Sequence, residues 1–141
     1  MIALATMVLV IAIAAAIGLQ VSYNAQLIGY PSICAMESDA PEYYVLGDAR
    51  RESFFFARVV RNELLEGPAL FSGPDLKAKI GSLEATMAVF SSELLPQFSR
   101  AVIHYPSALV LARLAHEPRC SFSSPPLEPL YLREPHITIS K

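Results

Sequence analysis

The sequence predicts an all-α protein with three parts: a single N-terminal transmembrane helix, a small helical hairpin or bundle, and an extended proline-rich C-terminal tail. Three observations predict this class. The first 36 residues carry no charged side chain, apolar residues recur at helical spacing between Leu76 and Leu94, and five prolines fall within residues 117–141. The expected boundaries are 1–21 for the transmembrane helix, 22–47 for a connector, 48–116 for the helical domain and 117–141 for the tail.

The length and the net charge limit the number of domains and the kinds of partner that this chain can have. The chain has 141 residues and a formal net charge of −2. That length accommodates one domain in addition to the N-terminal segment. A nucleic-acid partner would require a basic surface, and the charge balance argues against one.

The transmembrane prediction depends on the opening apolar run. From Met1 to Leu19 the only side-chain hydroxyl is that of Thr6. A helix of about 20 residues spans about 30 Å, which is the hydrocarbon thickness of a bilayer. A buried core helix is one alternative. A cleaved signal peptide is another, with small residues at 12–16 near its cleavage site, but no basic residue precedes the run. We therefore expect a helix that is retained.

Small residues on this helix predict that it docks onto another helix. Ala12 and Ala16 are four residues apart, as are Ala14 and Gly18. In lipid, helices associate through close packing of small residues because the hydrophobic effect does not drive them together. The alternative is that alanine is simply common in such segments.

The predicted orientation follows from the charges beyond the helix. The apolar run is followed by Glu37, Asp39 and Glu42, and no basic residue comes before Arg50. Because lysine and arginine tend to remain on the cytoplasmic or matrix side, this order favours a translocated C-terminal domain. We expect the mitochondrial inner membrane, with a thylakoid or bacterial inner membrane as alternatives.

The domain at 48–116 is expected to be a helical bundle. Asp48 suits a helix N-cap, Gly67-Pro68 suits a stop, and residues 50–66 between them are predicted to be helical. A third helical stretch over 96–116 should break near Tyr105, ahead of Pro106. The middle segment has the most regular apolar spacing, and it predicts a bundle seam, with a coiled-coil seam for a separate partner as the alternative. The seam residues are Leu76, Ile80, Leu83, Met87, Phe90 and Leu94.

The tail is expected to lie as a strap across a neighbouring subunit, with HITIS (136–140) adding a short strand.

Cys34 and Cys120 are the only two cysteines. They would form one disulfide in an oxidising compartment, and otherwise are two unrelated thiols.

No motif predicts an enzyme. The six glycines form neither a dinucleotide-binding fingerprint nor a P-loop, and neither G-x-S-x-G nor H-E-x-x-H occurs. His116 and Cys120 are four residues apart, but Pro118 between them breaks the helical geometry that a metal would need. We expect no catalytic residue, no metal and no cofactor. Whether lipid or pigment binds at the helix stays open.

These observations predict a non-catalytic accessory subunit of a multi-subunit membrane complex, of the respiratory or another energy-converting kind. Its partners would be other subunits and the lipid bilayer, and they would include no nucleic acid or small-molecule substrate. The alternatives are a signal-anchored periplasmic or lumenal binding module and a pilin-like assembly protein. A typical pilin carries a glutamate near the start of its N-terminal helix, and this chain has none.

Overall fold

The structure, a computed structural model, describes residues 2–117, and it describes the side chains of residues 11–117. The described residues form two units, 2–30 and 31–117. The first unit contains helix α1 (Ile2–Tyr23). The second contains a 3-10 turn at Ser32–Cys34, strands β1 (Glu42–Asp48), β2 (Ser53–Val60) and β3 (Glu63–Ser72), helix α2 (Gly73–Gly81), strands β4 (Ala88–Ser91) and β5 (Val102–Ile103), and helix α3 (Ala108–Leu114).

The second unit is built on a mixed five-stranded sheet of order β3-β2-β1-β4-β5. Strands β1, β2 and β3 form an antiparallel meander, whereas β4 is parallel to β1 and β5 is parallel to β4. Helix α2 makes the crossover from β3 at one edge to β4 beyond β1, as a parallel pair requires. The all-α prediction, with its helical hairpin or bundle, is therefore wrong.

The segment 50–66, predicted as a helix, folds instead as β2 and the start of β3. Its apolar residues satisfy helical spacing, but a run of phenylalanine and valine favours strand. Side chains alternate along β2, so that Phe54 and Phe56 pack with α2 while Val59 faces the other side. Arg61 and Asn62, with φ of 50° and 65°, form the two-residue turn into β3.

Strand β1 is the centre of the core. Its residues 43–47 are all buried, which is the pattern of a strand covered on both faces. On one face Tyr44 and Leu46 pack with Leu76 and Ile80 of α2. The Tyr44 ring also stacks on that of Phe56, with centroids 5.1 Å apart.

The opposite face of β1 is covered in part by the segment that precedes it. The Tyr43 hydroxyl donates to the carbonyl oxygen of Ile33 at 3.1 Å. The Asn62 side-chain amide donates to the carbonyl oxygen of Cys34 at 2.8 Å. A backbone bridge joins Met36 to Pro106. These bonds hold residues 33–36 against the sheet.

The six residues of the predicted bundle seam do not share one helix: Leu76, Ile80, Leu83, Met87, Phe90 and Leu94. The first two are buried on α2, and the next two are half-buried in the loop that follows it. Phe90 lies in β4 and Leu94 beyond it. The apolar spacing continues past Gly81, where α2 ends, because Leu83 and Met87 pack against the same core as the helix. Phe90 instead lies beside Tyr43 on the other face of the sheet, and Leu94 is 74% exposed.

The prediction of a transmembrane helix over residues 1–21 is corrected as well. In the part of the chain whose side chains the structure describes, no helix has the length and apolarity needed to cross a membrane. The predicted location in the mitochondrial inner membrane depended on that span and loses its basis.

Arg100 fixes the end of α2. Its guanidinium donates to the carbonyl oxygens of Ile80 at 2.9 Å, Leu83 at 3.1 Å and Met87 at 3.1 Å, and also to that of Glu84. The last carbonyls of a helix have no partner within it. In α2 the backbone N–H of Ser82 bonds those of Ala78 and Lys79, and Arg100 bonds that of Ile80 together with three carbonyls of the loop beyond. A planar guanidinium has five N–H donors in a fixed fork. The four bonds of Arg100 come from its Nη1 and Nη2 atoms.

We expect Arg100→Lys to lower the free energy of unfolding by about 2 kcal/mol, because a lysine ammonium cannot reach four carbonyls from one position. Urea unfolding of the full chain, followed by circular dichroism, measures this change. Arg113→Lys is the matched control, since Arg113 is exposed in the last turn of α3. Equal losses in the two variants would contradict the capping role of Arg100.

Candidate functional site

The predicted docking residues Ala12, Ala14, Ala16 and Gly18 all lie on α1. Ala16 is half-buried and the other three are exposed. A Cβ atom added to Gly18 would meet no heavy atom within 4 Å. The small-residue surface is therefore open to a partner, and docking through it stays a prediction.

The large apolar side chains of α1 are exposed too. Ile11 and Leu19 are 58% exposed and Val21 is 80% exposed. From residue 11 to residue 23 no side chain of α1 is buried. A helix of a water-soluble fold normally exposes a polar face and buries an apolar one. In α1 one face, with Ile13, Ala16 and Gln20, is half-buried, and the remaining faces expose apolar side chains.

A second candidate region lies where the parallel strands end. The chain leaves β1 towards β2 on one side and leaves β4 towards β5 on the other, so the strand order reverses between β1 and β4. In open α/β sheets, ligands bind outside the carboxyl ends of the strands at such a point. The three parallel strands β1, β4 and β5 end in or are followed by polar residues: Asp48, Ser92, Glu93 and His104.

Glu93 lies across these strand ends. Its Oε1 accepts a hydrogen bond from the backbone N–H of Asp48 at 2.6 Å. The backbone N–H of Glu93 donates in turn to the hydroxyl of the buried Ser91 at 3.3 Å. Asp48 Oδ1 accepts from the backbone N–H of Arg50 at 2.6 Å. The Glu93 carboxylate thus ties the β1–β2 hairpin to the end of β4, and the Asp48 carboxylate braces the hairpin turn itself.

His104 is also held by the end of β4. Its backbone N–H donates to the carbonyl oxygen of Ser91 at 2.9 Å, and its own carbonyl accepts from the Ser92 hydroxyl at 3.1 Å. Its ring lies against that of Phe90, with centroids 4.4 Å apart. Among the described residues, no three histidine, cysteine, aspartate or glutamate side chains are placed to hold a metal ion.

Sequence reasoning missed this region. Asp48 was expected to cap a helix, and Glu93 and His104 had no assigned neighbour. The available signal is the stretch Glu42–Asp48, in which aromatic and aliphatic residues precede a Gly-Asp pair, a pattern of a strand that ends in a turn. That signal places Asp48 at a strand end but does not bring Glu93 to it.

A charged cluster lies on the α2 side of the sheet. Arg58 Nε donates to Glu42 at 2.7 Å, and its Nη1 donates to Glu66 at 3.2 Å. Its guanidinium lies 6.0 Å from the centre of the Tyr44 ring. Hydrogen bonds from Arg58 to Glu42 and then to Glu66 raise the pKa of the guanidinium. The cluster links β1, β2 and β3, and its charges are used within the sheet.

Tyr43 of β1 and Cys34 of the preceding turn are both buried on the face of the sheet opposite α2. Burial raises the pKa of the Tyr43 phenol well above its ordinary value, nearby Cys34 raises it further, and a hydrogen bond with the Met36 backbone offsets part of the rise.

Cys120, the predicted disulfide partner of Cys34, lies outside the described residues, so the disulfide stays a prediction. The predicted strap, residues 117–141, is described only at Glu117, and HITIS (136–140) also lies outside the described residues.

Comparison with known protein families, curated proteins and solved structures gives no match for this chain. Two regions of the described residues are candidates for function: an exposed apolar helix, and a set of strand ends whose polar side chains bond mainly to the backbone.

We expect stability to fall at alkaline pH through Tyr43. Above about pH 10 the unfolded chain releases the phenol proton while the folded chain retains it, so the free energy of unfolding decreases. Tyr43→Phe should cost about 1 kcal/mol near pH 8, through the lost bond to Ile33. The difference in free energy of unfolding between the wild-type chain and this variant should be smaller near pH 11 than near pH 8. Urea unfolding at both pH values tests this prediction. An equal difference in free energy of unfolding at the two pH values would show that Tyr43 ionises equally in the folded and the unfolded chain.

We expect Gly47→Ala to destabilise the strand-end region by about 1–3 kcal/mol, the range for overpacking. A Cβ at this position would lie 2.8 Å from Phe55 Cζ, closer still to its Cε1, and 3.3 Å from the Glu93 carboxylate. Gly81→Ala is the control, because a Cβ there meets nothing within 4 Å and alanine favours helix. Thermal unfolding of the two variants should show a loss for the first and no loss for the second.

Proposed function

We propose that this chain is a non-catalytic accessory subunit of a multi-subunit complex. Its helix α1 fills an apolar groove on another subunit, and its sheet unit adds structure to the assembled particle. The partner class is protein, since the net charge of −2 does not favour nucleic acid. The observation that carries this proposal is the exposure of α1.

Burial of the exposed side chains of α1 against a partner would be favourable. Burying one valine, leucine or isoleucine side chain fully is worth roughly 1.5–3 kcal/mol. Between residues 11 and 23 four such side chains are about half exposed or more: Ile11, Ile17, Leu19 and Val21. Apolar patches of this kind, when larger than a few hundred Å², mark interaction sites on proteins.

The sheet unit supports a structural role. The polar side chains that would be first candidates for chemistry at the strand ends are engaged with the backbone: Glu93 accepts from Asp48, and Asp48 accepts from Arg50. Arg100 is engaged with four carbonyls. A subunit of this kind contributes stability and contact surface to its complex.

The first experiment asks whether the chain exists alone. A tagged full-length chain, expressed at its native level, would be analysed on a non-denaturing gel without detergent and identified by mass spectrometry. Migration with a fixed set of other subunits supports the proposal. Migration as a monomer or dimer overturns it. Recovery only after detergent extraction, without co-migrating subunits, assigns α1 to a lipid surface and also overturns it.

We expect Gly18→Leu to remove the chain from such a complex, with at least a tenfold fall in the co-migrating fraction, because a bulky side chain prevents close approach to the small-residue surface. Ile17→Phe is the matched control, since it adds bulk where a large side chain already stands. Both variants keep α1 apolar. An equal effect of both substitutions would contradict docking through Ala12, Ala14, Ala16 and Gly18.

A further inference from the structure

We draw no further inference here: the strongest candidate, the pair of exposed arginines Arg50 and Arg51 in the turn from β1 to β2, carries nothing, because the acidic residues Asp48 and Glu52 flank the pair in the sequence and nothing in the described part of the chain shows which ligand the two guanidinium groups would bind.

Discussion

The burial of both faces of β1 is the constraint on which the second unit depends. A strand that is apolar on both sides needs two covering layers, whereas a strand at a solvent face needs one. On one side the cover is α2, and Tyr44 and Leu46 pack against it. On the other side the cover begins at the segment held by Tyr43 and Asn62. Antiparallel β2 and parallel β4 then occupy both lateral positions of the same strand.

Polar side chains in this unit serve mainly to attach irregular segments to that centre. Arg100 binds the loop after α2, Glu93 binds the hairpin after β1, and Asn62 binds the turn before it. Each bond crosses between segments that apolar packing alone would leave loosely placed. Side chains used in this way are satisfied within the fold, and at the strand ends the Glu93 carboxylate is bonded to the backbone of Asp48.

The helical conformation of the opening run could be predicted from sequence, and so could the start of α2 near Pro74 and Asp75. The sheet could not, because Phe55, Phe56 and Val59 fit helical spacing as well as strand alternation. The docking residues were placed on the correct helix because they are local in sequence. The strand-end cluster was not found, since its hydrogen bond joins Asp48 and Glu93 across 45 residues and depends on the pairing of β1 with β4.

The surface of α1 differs from the sheet unit in this respect. Its side chains from residue 11 to residue 23 carry no charge, and none of them is buried. Covering the exposed isoleucine, leucine and valine side chains among them would remove apolar area from water. That gain in free energy is the physical basis of the proposal that this chain is incorporated into a larger particle.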